Sequence, residues 1–227
     1  MNLTRRCGLV ALVCAFFAPP GFATAAPQEA SRENPAPKTS TSLSSEDVRE
    51  VARIVDYLQG LTSERSRFVQ TDARGVQTEG AFYLQRPGRA RFEYDPPSGL
   101  IIASDGRRVT VVDRRLKTRH AYPQGATPLE LLLDRNIRLD RGVIVRQVAR
   151  DQGNVTVVAE DARRKAKGQI ALTFTETPMA LTGWAIKDAR GGVVRVRLAG
   201  LAHTPPHDAS FFELPDPRST PDPDASR

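Results

Sequence analysis

Two histidines and two carboxylates are the side chains of this 227-residue sequence whose types and spacing could support chemistry. His203 and His207 have the His-x₃-His spacing that places two metal ligands on one face of a helix. Pro205-Pro206 lies between them and excludes that helix, so we expect a surface loop and no metal site. Glu93 and Asp95 flank the end of a predicted strand, where both carboxylates are expected to face solvent.

Common catalytic motifs are absent from the sequence. There is no Gly-x-Ser-x-Gly nucleophile motif and no glycine-rich phosphate loop. Both cysteines, Cys7 and Cys14, lie in an N-terminal segment that we expect to be removed. Leu12 and Val13 precede Cys14 at positions where a lipidation signal has small residues. We therefore expect a protein that is not an enzyme, needs no cofactor and folds without a disulfide.

The N-terminus has the layout of a secretory signal peptide. Arg5 and Arg6 precede an apolar run at Leu9–Ala18, and small residues follow at Ala23 and Ala25. The apolar run is too short for a permanent membrane anchor, and the pattern predicts cleavage after Ala25. We therefore expect a soluble protein that is exported to the periplasm.

The chain is basic, and removal of the signal peptide with its two arginines lowers the formal net charge from +7 to +5. A basic protein is a candidate for nucleic-acid binding, but export argues against that class of partner. Arginine and lysine are most concentrated at 163–167, which we interpret as the tip of a hairpin. This basic cluster is interpreted as a solvated loop, with contact to anionic head groups or to an acidic partner as the alternative.

The stretch 80–97 predicts a hairpin with one inward-facing cation. Phe82 and Leu84 alternate with other residues in the first arm, which is the pattern of a strand with one buried side. Arg86 has the same parity, so its guanidinium is aimed toward the apolar face, where burial is costly unless its donors find partners. The chain turns at Pro87-Gly88, and the second arm alternates in the same way.

Two segments predict helices that need an apolar partner. The first has an N-cap at Ser44 with acidic residues in its first turn, and it ends at Gly60. The second begins with the capping box Thr127-Pro128-Leu129-Glu130 and has room for about two turns before Asn136. So short a helix is not stable alone, and each helix is a candidate cover over an apolar cavity. The expected apolar residues are Val48, Val51, Ala52, Val55 and Leu58 in the first helix, where Ile54 and Leu61 broaden the stripe, and Leu129, Leu131, Leu132 and Leu133 in the second.

Alternating segments between turn residues predict ten or eleven strands, and the short turns make sequential strands antiparallel. A single sheet of that size curls. We expect an α+β fold in which an incomplete, half-open antiparallel β-barrel is covered by the two short helices. The expected strands lie at 67–71, 79–85, 89–94, 100–103, 109–112, 116–122, 143–148, 155–159, 169–175, 181–187 and 193–198. The expected parts of the chain are a signal peptide (1–25), a disordered Pro- and Ser-rich spacer (26–43), a folded domain (44–215) and a disordered tail (216–227).

A series of short motifs follows one another along the chain. They are Phe68-Val69-Gln70, Gly80-Ala81-Phe82-Tyr83-Leu84, Arg86-Pro87-Gly88-Arg89, Arg91-Phe92-Glu93-Tyr94, Ser104-Asp105-Gly106 and Thr127-Pro128-Leu129-Glu130-Leu131-Leu132. In this order they resemble the periplasmic outer-membrane lipoprotein carrier family, LolA. The resemblance runs from about Ser45 to Pro215 and is loose after Asp140. The long Pro-rich spacer departs from the family pattern.

The resemblance implies a task as well as a half-open barrel. Proteins of this family take acylated lipoproteins from an ABC-type release complex in the inner membrane and hand them to an outer-membrane receptor. The arginine of the Arg-Pro motif, which falls on Arg86 here, holds the lid through hydrogen bonds to helix backbone. For this chain the resemblance implies acylated lipoproteins as ligands, with the release complex and the receptor as partners. We expect a monomer that binds no nucleic acid.

We hypothesise an apolar trough that receives acyl chains, with Arg86 as a breakable latch on its lid. A regulatory module that senses lipids or lipoproteins would have the same architecture, although the single-domain length favours a carrier. Each lining position is equally compatible with ordinary core packing. The expected lining residues are Phe82, Leu84, Phe92, Tyr94, Ile102 and Val111 from the strands, and Leu58, Leu131 and Leu132 from the lid.

Overall fold

The computed structural model describes residues 43–127, 129–137, 143–162, 168–188 and 190–217. The predicted signal peptide, the basic cluster at 163–167, and most of the predicted spacer and tail lie outside these residues. The helices are α1 (Ser45–Gly60) and α2 (Glu130–Leu133), and short 3₁₀ turns lie at Gln124–Ala126 and Ala209–Phe212. The strands are β1 (Ser63–Thr71), β2 (Gln77–Gln85), β3 (Arg89–Tyr94), β4 (Leu100–Asp105), β5 (Arg108–Asp113), β6 (Thr118–Pro123), β7 (Val143–Asp151), β8 (Asn154–Asp161), β9 (Gln169–Glu176), β10 (Met179–Lys187), β11 (Val193–Leu198) and β12 (Ala202–His203). Within these ranges, no helix has the length and apolar composition needed to cross a membrane.

The strands form one antiparallel sheet of twelve. β1 to β6 make one meander and β7 to β11 make another, and the two meanders join where β1 pairs with β11. The short β12 adds to the other end of β1. β6 and β7 end the sheet order and have no ladder between them in the described part of the chain. The sheet is therefore open, which confirms the expected half-open antiparallel fold.

Ring contacts across the sheet reveal how strongly it curls. β2 and β10 are separated by β1 and β11. In a flat sheet these three ladder spacings of ~4.8 Å would place the two strands about 14 Å apart. Phe82 of β2 and Trp184 of β10 nevertheless have ring centroids 5.6 Å apart. Phe92, one strand further away on β3, lies 6.1 Å from the same indole. The sheet therefore curves around these rings, and its inner face encloses them.

α1 begins where the sequence predicts because a capping box closes its first turn. The Ser44 hydroxyl accepts a hydrogen bond from the Asp47 N–H (3.1 Å), and the Asp47 carboxylate accepts one from the Ser44 N–H (3.2 Å). A bond from the Ser44 hydroxyl and a further bond from Arg150 lower the pKa of Asp47 below its ordinary value. The helix ends at Gly60, as expected.

The buried face of α1 agrees with the expected apolar stripe except at two positions. Ile54 and Leu58 are one turn apart and are fully buried, because positions i and i+4 share a helix face. Val48 is 54% exposed and Ala52 is also exposed, so these two members of the expected stripe were wrong. Val51 and Val55 of the expected stripe are partly buried and pack against the same cluster, together with Tyr57.

α2 is shorter than expected and lacks the expected cap. It is a single turn, Glu130–Leu133, with Leu129 in the N-cap position and no side-chain hydrogen bond at its start. The Thr127 hydroxyl donates to the backbone oxygen of Gln124 (2.8 Å), and the Glu130 carboxylate accepts from the Gln124 amide (2.8 Å). The predicted capping box is therefore wrong, because the preceding 3₁₀ turn engages both side chains.

A segment that the sequence analysis left unassigned covers the outer face of the sheet. This C-terminal strap, 201–214, contains β12 and the second 3₁₀ turn, which packs against β3 and β4. Successive side chains of a strand point to opposite faces of the sheet. Because β4 and β5 contain consecutive buried apolar residues, they have apolar side chains on both faces. The strap covers the outer set. This outer cluster consists of Ile101, Ala103, Val112 and Leu214.

Arg91 and an aromatic group hold the strap. The Arg91 guanidinium donates to the backbone oxygen of Phe211 and lies 4.6 Å from the centroid of its ring. His207 stacks on Phe211 at 4.2 Å, and Tyr83 meets the edges of both rings. Gln85 exchanges two hydrogen bonds with the backbone of His207. The strap thus fixes the outer side of β2 and β3, leaving the inner side to the helices.

Candidate functional site

The inner face of the sheet carries one cluster of buried apolar side chains, called here the inner cluster. It contains all of the expected lining residues whose side chains are described, and none is more than 6% exposed. The side chain of Leu131 lies outside the described part of the structure. Contact of these residues with an acyl chain stays a prediction. The members in question are Phe82, Leu84, Phe92, Tyr94, Ile102 and Val111 from the strands, and Leu58 and Leu132 from the helices.

Aromatic side chains fill the centre of the inner cluster. The rings of Phe82 and Phe92 lie 4.7 Å apart, and Phe68 lies 5.6 Å from Phe92 and 5.1 Å from Tyr94. Trp184, on β10 of the other meander, contacts this group on the same inner face. Sequence reasoning missed Phe68 and Trp184 as members, although each lies in an alternating strand segment. A ligand that reaches this face must displace side chains of the cluster.

Two polar side chains lie in the cluster and differ in their hydrogen bonding. The Tyr94 hydroxyl donates to the side-chain oxygen of Gln70 (2.7 Å), and burial raises the pKa of Tyr94 well above its ordinary value. The Nε1 of Trp184 is buried without a partner among the described residues. The described interior is therefore largely apolar, with the Tyr94 and Gln70 side chains bonded to each other and the Trp184 donor unused.

Arg86 joins the C-terminal ends of both helices to the turn between β2 and β3. Its Nη1 donates to the Leu58 carbonyl of α1, and its Nη2 donates to the Asp134 carbonyl after α2 (2.6 Å). The Gly88 N–H in the same turn donates to the Leu133 carbonyl (2.9 Å). The last carbonyls of a helix lack intrahelical partners and carry partial negative charge, so a cation is favoured there. The inward cation thus meets helix ends, while its role as a latch stays a prediction.

The Arg86 guanidinium is partly desolvated in this contact. Burial lowers the pKa of the guanidinium, and the nearby Asp134 acts in the opposite direction. Arginine remains charged at neutral pH because its ordinary pKa is far higher. Its Nε is buried without a partner among the described residues. A guanidinium that leaves the two carbonyls would therefore regain water at all of its donors, which offsets part of the loss.

The turn that presents Arg86 depends on a glycine. Gly88 has φ of +84°, a conformation that other residues rarely adopt. A Cβ atom there would also lie 2.8 Å from the Cα of Gly106 in the neighbouring turn. The Ser104 hydroxyl of β4 donates to the Gly88 carbonyl (2.9 Å) and thereby stabilises the turn. The close approach of the two turns holds Arg86 at the rim.

The N-terminal end of α1 is held by the other half of the sheet. Arg150 of β7 donates to Asp47 (3.0 Å) and lies 3.6 Å from Glu46 and 3.9 Å from Glu176 of β9. α1 therefore reaches from one meander to the other, with Arg86 at its C-terminal end and Arg150 at its N-terminal end. The sequence analysis missed Arg150, because its partners are distant along the chain and no local pattern marks them.

Two further hydrogen bonds connect α1 with its surroundings. The Leu181 N–H of β10 donates to the Tyr57 hydroxyl (3.0 Å), and the Gln59 amide donates to the Ile137 carbonyl after α2 (3.1 Å). Burial raises the pKa of Tyr57. The first bond uses a backbone donor beside a register shift in β10, and the second links the two helices. These contacts involve single side chains rather than a continuous ladder.

A polar cleft of about 360 Å³ lies at the rim beside the Arg86 turn. Its walls are the turn between β2 and β3, the turn between β4 and β5, and the end of α2. Charged residues that line it include Arg89, Arg107 and Arg135, together with Asp105 and Asp134. An acyl chain would not offset the desolvation of these groups, so the cleft does not suit a hydrocarbon ligand.

The residues first considered for catalysis or metal binding enter separate structural contacts. His203 is exposed as expected, and its Nδ1 lies 3.5 Å from Glu64, whereas His207 is half-buried in the strap. Glu93 and Asp95 each accept hydrogen bonds from an arginine. In the ranges that the structure describes, no group of three His, Cys, Asp or Glu side chains could hold a metal ion.

Comparison with known proteins identifies a family for this chain. The family model for the outer membrane lipoprotein carrier protein LolA matches residues 59–215, more than half of the chain. The chain belongs to this family. The expectation from the motif series is thereby confirmed, and a LolA protein is, at the level of the family, a carrier of outer-membrane lipoproteins. The match begins at the end of α1 and includes Arg86 and the whole sheet.

Individual LolA relatives share modest identity with this chain. An outer-membrane lipoprotein carrier protein of Methylibium petroleiphilum is 33% identical over 102 residues, which is 39% of this chain and 50% of the relative. One of Legionella pneumophila is 25% identical over 173 residues, 72% of this chain and 83% of the relative. The chain thus spans half the length of the first relative and most of the second.

Solved structures with a similar course of the chain are more distant in sequence. An uncharacterized conserved protein from Thermus thermophilus has a TM-score of 0.46 at 12% identity, covering 74% of this chain and 94% of its own. A LolA superfamily protein from Nitrosomonas europaea has a TM-score of 0.43 at 9% identity, covering 72% of this chain and 97% of its own.

Proposed function

We propose that this LolA protein is a periplasmic carrier that takes acylated lipoproteins from the inner membrane, shields their acyl chains and delivers them to the outer membrane. The observation that carries the proposal is an apolar inner face roofed by helices whose ends are held by Arg86. Acyl chains bind the inner face after α1 and α2 have moved aside. The strand members of the inner cluster line the bound chains, and Leu58 and Leu132 of the lid cover the same face when the protein is empty.

The need for such a carrier follows from the cost of exposing acyl chains. A chain of about 15 methylenes in water costs on the order of 12 kcal/mol, at ~0.8 kcal/mol per CH₂. A lipoprotein therefore cannot cross the aqueous periplasm without cover for its chains. The inner cluster supplies cover of the required chemistry, because its members are apolar side chains.

The lid opens more readily than the sheet. Sequential strands are joined by backbone ladders, whereas α1 and α2 are held by side-chain packing and by a few hydrogen bonds. Opening therefore breaks contacts of single side chains and leaves the ladders intact. Because the same inner face receives either the lid or the cargo, lid closure competes with cargo and favours release.

Competition between lid and cargo gives the two membrane partners distinct tasks. An ABC-type release complex in the inner membrane supplies the lipoprotein to a carrier whose lid is open. An outer-membrane receptor accepts the acyl chains as the lid closes. The carrier then needs no energy source of its own, since each partner only shifts the lid equilibrium by its own binding.

The test of this proposal is the variant Arg86→Leu. It should fold and bind lipoprotein but release it slowly, because the closed lid loses the bonds to Leu58 and Asp134. Arg67→Leu is a matched control, since Arg67 is a half-exposed arginine paired with Asp95. The measurements are lipoprotein release from spheroplasts and transfer to outer-membrane vesicles. Unchanged transfer by Arg86→Leu would count against the latch.

A sensor of lipids or lipoproteins with the same fold is the competing function. Native mass spectrometry of the protein isolated from the periplasm reports whether acylated cargo is bound. Bound cargo together with no release activity from spheroplasts would favour the sensor. A protein that neither contains acylated cargo nor releases lipoproteins would contradict both functions.

A further inference from the structure

Trp184 leaves a hydrogen-bond donor unused inside the inner cluster. It is the only tryptophan in the sequence, it lies on β10, and it is 4% exposed. Its Nε1 is buried and has no acceptor among the described residues, whereas the buried Tyr94 hydroxyl donates to Gln70. Buried indole N–H groups usually find a partner, because an unmet donor retains its full desolvation penalty. The donor is thus available to an acceptor that a ligand brings to the inner cluster.

The surroundings restrict what kind of acceptor could approach. The rings of Phe82 and Phe92 lie 5.6 and 6.1 Å from the indole, and the cross-strand neighbours of Trp184 are Leu172 and Val196. These four described neighbours of the indole are all apolar and carry no charge. A carboxylate beside Trp184 would therefore be desolvated without a counter-charge, which is far more costly than burying a neutral carbonyl. A bare hydrocarbon chain offers no acceptor at all.

We propose that the Trp184 indole N–H donates to a carbonyl oxygen of the cargo, namely the ester or amide carbonyl through which an acyl chain is attached. This inference rests on the proposed carrier function and names the group that the same site recognises. With the lid closed, no described residue accepts from this donor. Cargo supplies an acceptor, so the bond favours the loaded state. The site then prefers ester- or amide-linked chains to ether-linked alkyl chains of equal length.

A single tryptophan makes the test direct, since the folded protein has one indole N–H resonance. The probes are a synthetic triacylated lipopeptide, a 1,2-diacylglycerol, and a 1,2-dialkylglycerol with ether-linked chains of the same length. We expect the lipopeptide and the diacylglycerol to move the indole proton downfield. We expect the diacylglycerol to bind about fivefold to tenfold more tightly than the dialkylglycerol, the ratio that one neutral hydrogen bond supplies.

Two altered proteins separate the hydrogen bond from packing. Trp184→Phe removes the donor but also changes the volume of the side chain. Replacement of the tryptophan by benzothienylalanine exchanges the N–H for sulfur and keeps the shape. Both proteins should bind the two glycerol lipids with equal affinity. A preference for the diacylglycerol that persists in the sulfur-substituted protein would overturn the inference.

The outcomes also distinguish this inference from the function on which it rests. A wild-type protein that does not bind the lipopeptide rejects the carrier function and the inference together. Binding of the lipopeptide with an unmoved indole resonance rejects the inference alone. So does equal affinity of the wild-type protein for the two glycerol lipids.

Discussion

Truncation of a lid side chain is expected to tighten cargo binding rather than weaken it. Leu58 is fully buried in the inner cluster near the end of α1, and its backbone carbonyl accepts from Arg86. Leu58→Ala therefore removes packing from the closed lid and keeps the latch bond. Because an acyl chain takes the place of lid side chains, the loss falls mainly on the empty, closed protein.

The size of the effect follows from the packing of Leu58. Truncating a buried leucine to alanine costs about 2–5 kcal/mol, and the lower end corresponds to about thirtyfold in an equilibrium constant. Apparent affinity is the intrinsic affinity reduced by the fraction of protein with an open lid, so the gain stops once the empty protein is mostly open. We expect an apparent Kd at least about tenfold lower than that of the wild type, with slower release of cargo.

The assay is displacement of a fluorescent long-chain acyl probe by a triacylated lipopeptide. Leu214→Ala is the matched control, because it makes the same truncation at a position that is 8% exposed in the outer cluster. Both variants should lower the free energy of unfolding, and only Leu58→Ala should change the affinity. Binding by Leu58→Ala that equals or falls below that of the wild type would refute the competition between lid and cargo.

Combining Leu58→Ala with Arg86→Leu tests whether packing and hydrogen bonding act on one equilibrium. The first variant keeps the bond to the Leu58 carbonyl, and the second keeps the Leu58 side chain. Both loosen the same end of α1, so the double variant should gain less affinity than the sum of the two single effects. A combined gain larger than the sum of the two single gains would contradict a shared lid, because the gain from opening one lid ends when the empty protein is mostly open.

Three further predictions concern single side chains. Asp47→Asn should remove an acid sensitivity of the lid. The hydrogen bond from Ser44 depresses the pKa of Asp47 below its ordinary value of 3.8. The carboxylate therefore stabilises the protein above that pH, and this stabilisation is lost as the pH falls through the depressed pKa. Thermal unfolding across this range checks this, and equal acid sensitivity in variant and wild type contradicts it. Tyr94→Phe should lower the free energy of unfolding in urea by about 1–3 kcal/mol, because the buried side chain of Gln70 loses its donor. Phe211→Ala should expose the C-terminal strap to limited proteolysis and leave acyl-probe affinity unchanged; a changed affinity would show that the outer face is coupled to the inner one.

Local alternation was sufficient to predict most of the sheet. The hairpin of β2 and β3 pairs Phe82 with Phe92 across the ladder, as the parity of the two arms requires. The same parity placed Arg86 toward the inner side, where its guanidinium meets two helix ends. These features could be predicted because the spacing of apolar residues and the turn residues are visible within a few positions of the sequence. The register is also strongly specified, since a shift of one residue would turn every side chain to the wrong face.

The features that escaped prediction depend on distant parts of the chain. Arg91 alternates outward and would be expected to face solvent, yet it is 8% exposed because the strap lies over it. The strap itself has no helical or strand period, and its position is set by contacts with β1 to β4. The pairing of β1 with β11 and the contact of Arg150 with α1 are equally non-local. No pattern within a short window could indicate which partner each would find.

The contacts that hold the C-terminal strap and α1 differ in kind, and we expect the protein to open on its inner side only. On the outer face, the strap is held by a guanidinium, stacked rings and backbone bonds, and it covers the first meander. On the inner face, α1 is held at its two ends by Arg86 and Arg150, which belong to different meanders. Release of the C-terminal contacts made by Arg86, Tyr57 and Gln59 would let α1 swing while Arg150 retains the other end. The inner cluster would then be exposed beside the Arg86 turn first, so cargo should enter near β2 and β3 rather than near β7.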